Sequence, residues 1–432
     1  MTKARQATTT VTFVDEYAQR YQELFPDVRS FEAFKYLLVG MLSDLKRKTL
    51  PAIAKAMGAD AQSLHHVLAY APWSVHELRK RRLTLVQQAL AGRPFILCID
   101  ETGDRKKGKT TDYVAHQYIG NLGKLENGIV SVNAYGILDQ MTFPLLFKVF
   151  KPRTRLKPGD SYKTKPALAV ELIQELQNWG FRFEVVLADS LYGESSNFVS
   201  ELEQLHLKYV VAIRSNHGVW LPPGQRVRYT NWRSFERLFS NGKQQTRFIR
   251  ELIFGQRGRI RYYHLTTDKE QLPPESTWYI MTNLEGAIRT TVGNTYGLRT
   301  WIEYGFKQAK NELGWADFRV TDYASIERWW ELVCCAYLLV SLQSTVFGHD
   351  DASGRSQPAT VTAPPERFAE HRWWDSGQGW KNILNNVRLI LQPYVFHCLL
   401  LPWLLLFDIP GFREGFLQLI GIMNSLHAAL PI

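Results

Sequence analysis

Residues 94–109 read PFILCIDETGDRKKGK. The first seven, PFILCID, form a short apolar run ending on an acid, as a buried strand does where it leaves a sheet. Glycine and a run of cations follow at once: Gly103, Arg105, Lys106, Lys107, Lys109. The pattern returns in residues 181–189, FRFEVVLAD, again apolar and again ending on an acid, Asp189. Between them lie GIVSVNAYGIL (128–138) and MTFPLLFKVF (141–150), separated by Asp139 and Gln140, a hairpin spacing. KTKPALAVELIQELQNWG (163–180) is an amphipathic helix with Pro166 in its first turn and Gly180 at its end. SSNFVSELEQLH gives a further helix and KYVVAIRSN (208–216) a fifth strand. The order β-β-β-α-β-α-β predicts a mixed α/β sheet, a hairpin meander continuing into helix-linked parallel strands with helices on its faces.

Helical periodicity fills residues 14–90 on the N-terminal side. Within it TLPAIAKAMGADAQSLHHVL (49–68) resembles a helix–turn–helix, with Gly58 in the turn and Asp60 or Ser63 opening the second helix. Lys46, Arg47 and Lys48 precede it and Arg79, Lys80, Arg81 and Arg82 follow. A solvated helical face would also carry such charges, but clusters that bracket the turn favour contact with DNA. After the sheet, residues 217–287 carry two Pro-Pro pairs and short strand-like runs, read as a β-rich insertion hung on the sheet. Long helices are expected at 294–313 and 325–346, and a Ser/Ala/Pro/Thr-rich linker near 348–371. The expected divisions are a helical domain at 1–92, a sheet domain at 93–216 and 288–347, the insertion at 217–287, the linker, and a helical C-terminal segment at 372–432.

The chain has 432 residues, too many for one compact core at the usual ~100–200 residues per domain. A hydrophobic share of 45% and a charged share of 22% exclude wholesale disorder. Lys and Arg number 52 against 41 Asp and Glu, a net charge of +11, which favours a polyanionic partner. The four cysteines sit in apolar runs without a CxxC pair, as buried thiols do, so disulfides and a cysteine zinc site are not expected. The start lacks an apolar core for a signal peptide. The apolar stretch YVFHCLLLPWLLLF (394–407) contains His397 and Pro402 and falls short of the ~20 residues of a spanning helix. A buried C-terminal helix, no membrane partner and a cytoplasmic location are therefore expected. No dinucleotide or P-loop glycine motif occurs, Ser190 lacks a GxSxG context, and His65-His66 has no acidic or cysteine companion.

Asp100 and Asp189 each mark a strand end, where α/β sheets open their crevice, although a lone acid there is more often a cap. A third acid comes from TYGLRTWIEYGFKQAKNELG. Tyr296, Arg299, Glu303 and Lys310 follow the spacing Y-x2-R-x3-E-x6-K, which on a continuous helix puts all four within a ~60° arc. A solvated face with i,i+4 pairs would be the ordinary alternative. Three carboxylates without a histidine cluster suit hard cations, Mg²⁺ or Mn²⁺, and two such ions support in-line displacement at phosphorus. The cations that phosphate needs are present after Asp100 and again in KPRTRLKPGDSYKTK (151–165), which carries Arg153 and Arg155.

These motifs resemble the DDE transposases of bacterial insertion sequences, in the group named for its YREK signature. DETGDRKKGK (100–109) and SLHHVLAYAPW (63–73) are similar to one branch of it, and the resemblance spans about residues 25–344. It implies an RNase H-like mixed sheet flanked by helices, with Asp100, Asp189 and Glu303 as metal ligands and catalytic residues. It further implies that Tyr296, Arg299 and Lys310 meet transposon-end DNA, with Arg105, Lys106, Lys107, Lys109, Arg153 and Arg155 along the backbone. The implied activity is DNA cleavage at transposon ends and strand transfer of the 3′-hydroxyl, by a homodimer on double-stranded DNA. An inactive DNA-binding derivative and a nuclease without joining activity are the alternatives. Glu101 stands where the branch often has Asp, so Glu101 or Asp104 competes with Asp100, which is preferred for ending the strand. Trp220, Trp232 and Trp278 are candidates to stack a displaced base, though core packing is the commoner use of any one tryptophan.

Overall fold

The computed structural model describes residues 5–139, 141–239, 243–344, 346, 370–377, 379–407 and 409–425. All but the last two residues of the expected linker lie outside these. Five helices open the chain: α1 (Thr12–Gln19), α2 (Val28–Leu42), α3 (Leu50–Met57), α4 (Ala61–Ala69) and α5 (Val75–Leu90). Side-chain caps set three of the starts, since Asp27, Asp60 and Ser74 each accept from the backbone N–H three residues on. The α3–α4 turn falls at Gly58, whose φ of 61° suits glycine.

The sheet begins with β1 (Phe95–Arg105), β2 (Ala115–Ile119), β3 (Lys124–Leu138) and β4 (Met141–Val149). After α6 (Lys165–Asn178) come β5 (Phe183–Ala188), the single turn α7 (Ser190–Gly193), α8 (Ser196–Gln204) and β6 (Tyr209–Ile213). Leu138 pairs with Met141, so β3 and β4 form the expected two-residue hairpin, and Asp139 takes the positive φ, 51°, that such turns require. β3 is antiparallel to β4 and β1, while β1, β5 and β6 run parallel. The order β4-β3-β1-β5-β6 is an RNase H-like mixed sheet.

Two features of the sheet differ from the sequence expectation. β1 does not end at Asp100: it runs on to Arg105, with Asp100 opposite Asn133 and Arg105 opposite Gly128. The segment ETGDR is polar and contains glycine, and only pairing with the distant β3 makes it a strand. The insertion also does not hang on the sheet. Its strands β7 (Val227–Tyr229), β8 (Arg233–Leu238), β9 (Gln244–Phe254), β10 (Arg261–Thr266) and β11 (Trp278–Thr282) continue it, because β11 pairs antiparallel with β6. The product is one 11-stranded sheet.

The expected helix at 294–313 is divided into α9 (Thr291–Gly297), α10 (Thr300–Lys307) and a π-helical turn, Gln308–Glu312. Next come α11 (Tyr323–Leu342), α12 (Trp380–Leu404) and α13 (Phe412–Met423). α11 is a core helix, with Trp329 and Trp330 buried and Trp315 stacked on Trp330 at 4.7 Å. α12 was expected to be buried. Its N-terminal part is, but Phe396, Leu399, Leu400 and Trp403 are exposed. This helix is long and apolar enough to cross a membrane by length and composition, yet Arg388 within it donates to the Leu42 carbonyl and pairs with Glu312.

Candidate active site

The parallel register of β1 and β5 closes with Ile99 beside Ala188. One step beyond that pair stand Asp100, still in β1, and Asp189, just past the end of β5, two neighbouring strands spaced about 4.8 Å apart. Asp189 also caps α7, its carboxylate accepting from Leu191 N–H at 2.9 Å. α7 is seated tightly, since a Cβ on Gly193 would lie 1.9 Å from the Ala212 carbonyl oxygen of β6.

Alternation along β1 separates its acids. Asp100 and Asp104 meet cations of the YREK segment: Arg299 Nη1 lies 3.1 Å from Asp100, and Lys310 Nζ 2.8 Å from Asp104. Glu101 faces the other way, toward Lys165 of α6 at 2.7 Å and the Tyr192 hydroxyl at 3.1 Å. The strand end that set Asp100 above Glu101 and Asp104 in the sequence lies instead at Arg105. Of the three, Asp100 shares a guanidinium with Glu303, while Glu101 also lies close enough to Asp189 to raise its carboxyl.

α10 lies against β1 and β3, and Gly305 permits the close approach, a Cβ there falling 2.9 Å from the Tyr135 ring. That seating sets Glu303, whose carboxylate accepts from Arg299 Nη2 at 2.7 Å. Because one planar guanidinium holds both, these Asp100 and Glu303 oxygens are no more than about 8 Å apart. Glu303 is 45% exposed, whereas Arg299 and Asp100 are largely covered. Arg299 also lies near the Tyr296 ring and keeps a buried Nε without a hydrogen-bond partner.

Burial pushes Asp100 up to about 8, against the opposing pull of Arg299 and with help from Asp189 and Glu101. Burial also raises Asp189, with Glu101 adding to it and Arg299 opposing. Tyr296 is raised by burial despite Arg299. Two adjacent acids held above their ordinary range in a covered site are short of positive charge, which fits a divalent cation. No three His, Cys, Asp or Glu side chains among the described residues lie together as a finished metal cage. Asp100 and Asp189 are side by side, and Glu303 is tied to Asp100 through Arg299.

The other expected DNA contacts are spread around this centre. Arg155 donates to the carbonyls of Lys109 and Thr111, joining the two basic loops. Lys107, Lys109 and Arg153 are exposed, Arg153 lying over Tyr162. Arg105 pairs with Glu126 at 3.5 Å. Lys106 instead sits over the Phe318 ring at 3.4 Å, and burial lowers it to about 8. Of the clusters flanking α3 and α4, three members turn inward: Lys48 donates to Ser43 and Leu45 carbonyls, while Arg79 and Arg82 pair with Glu331 of α11. Lys46, Arg47 and Lys80 remain exposed. Sequence reasoning missed the Asp104–Lys310 and Glu101–Lys165 pairs, although adjacent Asp100 and Glu101, with Asp104 four residues after Asp100, were a signal for two faces of a strand.

Among the tryptophans, Trp278 lines a cavity of about 790 Å³ together with Asp189, Tyr296 and Arg299. Trp220 is exposed, and Trp232 packs on His264 under Arg250.

Residues 21–245 match the family described as DDE superfamily endonuclease. The chain belongs to that superfamily. A protein of Microchaete diplosiphon described as "Probable transposase for insertion sequence element IS701" is 60% identical over 329 residues, 76% of this chain and 87% of its own. The DDE chain is thus an insertion-sequence transposase. The matched family span contains Asp100 and Asp189 and stops before Glu303. A structure described as "Cryo-EM structure of piggyBac transposase synaptic complex with hairpin DNA (SNHP)" aligns over 98% of this chain and 79% of its own. Its identity is 11% and its TM-score 0.43, a likeness too low to carry an argument.

Proposed function

We propose that this DDE transposase cuts DNA at the ends of its element and joins the freed 3′-hydroxyl to target DNA, using Asp100, Asp189 and Glu303 to hold two divalent ions, Mg²⁺ or Mn²⁺. The observation that carries the reading is the register that sets Asp100 beside Asp189 and under the guanidinium that binds Glu303. When bound, such ions activate an attacking oxygen and stabilise the leaving one.

The chain's own residues supply position and charge, which is most of what phosphoryl transfer asks of a protein. Arg299, which pairs with Asp100 and Glu303, would be placed to turn its two nitrogens to a phosphate if those carboxylates held cations. Tyr296 walls the site beside it, and Lys310 anchors the π-helical turn to the Gly103 carbonyl at 2.7 Å. Lys107, Lys109 and Arg153 continue the positive surface along the DNA backbone. The helices of residues 1–92, with Lys46, Arg47 and Lys80, grip the duplex. Handling two ends requires at least a homodimer on DNA.

The test is cleavage and joining of labelled end DNA in Mg²⁺, wild type beside Glu303→Gln, which keeps side-chain size and removes the charge. Wild type should cut and join, and the variant should bind but lose at least ~100-fold in rate, the order expected when transition-state charge stabilisation is removed. Equal cutting by both would overturn the assignment of Glu303. Binding without cutting by wild type would favour an inactive derivative, and cutting without joining a nuclease.

A further inference from the structure

Two buried arginines of the insertion, Arg237 on β8 and Arg247 on β9, make no ion pair with a carboxylate among the described residues, although Glu303 lies near enough to Arg237 to favour its charge. Arg237 stands opposite Gln245 and Arg247 opposite Phe235, so both side chains share the face that packs against α9. Each residue is 7% exposed. Arg237 donates to the Gly297 carbonyl at 3.2 Å and to the Thr300 hydroxyl at 3.4 Å, and its Nε is buried without a partner. Arg247 donates to Gln245 Oε1 at 3.0 and 3.2 Å. Every acceptor is neutral, and among the described residues neither arginine makes an ion pair.

Burying an unpaired charge is costly, and the same sheet shows how the cost is normally avoided. A few residues along β9, Arg257 and Arg261 both converge on buried Glu251. Arg237 and Arg247 have no such partner, and burial together with Arg237 lowers Arg247 to about 10, still charged at neutral pH. Their position supplies a reason. Arg237 seats against the α9–α10 junction, where a Cβ on Gly297 would fall 3.2 Å from its Nε. Arg247 lies 4.8 Å over the Trp278 ring, whose residue lines the cavity shared with Asp189, Tyr296 and Arg299.

We infer that Arg237 and Arg247 form a second phosphate site, which takes a backbone phosphodiester of the transposon-end strand and locks the insertion to the YREK segment when DNA is bound. This rests on the transposase reading above. Two guanidiniums supply the paired donors that a phosphate accepts best. Simple stacking is the competing account, since both guanidiniums also lie over Phe239.

The experiment measures binding in EDTA to a duplex carrying the element's terminal repeat, with single phosphates replaced in turn by neutral methylphosphonates. For wild type, neutralising one phosphate within a few nucleotides of the end should weaken binding by roughly ten-fold, the effect of a lost charge-assisted contact. Arg237→Gln/Arg247→Gln should bind the native duplex about as weakly, lose nothing further at that phosphate, and show a salt slope shallower by about one to two. A double variant that keeps the wild-type phosphate profile overturns the inference while leaving the transposase reading intact. Failure of wild type to bind the terminal repeat sinks both. Arg237→Met and Arg247→Met supply an independent readout: removal of a buried charge that makes no ion pair should leave the melting temperature unchanged or higher, and a fall of several degrees would mark the arginines as structural.

Discussion

Arg299 donates to Asp100 with one nitrogen and to Glu303 with the other, which offsets part of the repulsion in a carboxylate cluster. The offset is incomplete, since Asp100 stays at about 8 through burial and its acidic neighbours. An unfolded aspartate titrates near ~4. The folded chain therefore keeps a proton that the unfolded chain releases, and stability falls as pH rises from about 4 to 8. Asp100→Asn removes that fall. In EDTA the variant should melt above wild type at pH 8 and the gap should shrink at pH 5, a tenfold difference in proton affinity being worth about 1.4 kcal/mol. A gap that widens on acidification would contradict the sign. Asp100 was legible in the sequence as an acid at the end of an apolar run. Its rank above Glu101 and Asp104 was read from a strand end that the structure moves to Arg105, because the β1 extension depends on pairing with the distant β3.

α7 shows how a short element fixes a candidate ligand. Asp189 caps it, and Gly193 lets it rest on β6 with no room for a methyl group. Gly193→Ala must displace α7 or β6, and overpacking of this kind costs about 1–3 kcal/mol. The expected result is a lower melting temperature together with loss of cleavage, whereas the exposed Gly218, with open space and no positive φ, should tolerate alanine far better in the same melts. The core strands and the hairpin were readable because their apolar runs and turn residues are local signals. The YREK segment was readable as a face but not as a shape. Periodicity carries no mark of the break at Leu298–Arg299, where Arg237 seats, or of the π-helical turn whose Lys310 meets Gly103 and Asp104 of β1. The insertion was recognised as β-rich, yet its continuity with β6 depends on long-range pairing that composition does not encode.

The helical layer and the sheet are joined by a buried ion pair as well as by one contiguous apolar core. Arg82 of α5 binds Glu331 of α11 and donates to the carbonyls of Pro144 and Leu145 on β4, with both charged side chains fully buried. Arg82→Ala strands Glu331 and two carbonyls, and should destabilise the protein by about 3–5 kcal/mol in denaturant titrations. A change under ~1 kcal/mol would show that the pair is solvated or dispensable. Arg79 and Arg82 read in the sequence as half of a DNA-facing cluster, because sequence cannot show that α11 brings Glu327 and Glu331 to them. The central claim is that three carboxylates from three distant segments meet at one metal site. Iron(II), substituted for the native ion in the DNA-bound protein and activated with ascorbate and peroxide, cuts the polypeptide beside the place where it binds. The expected cuts cluster near residues 100, 189 and 303, and all are lost in Asp189→Asn. Cuts that miss the 303 region, or that persist unchanged in the variant, would contradict the claim.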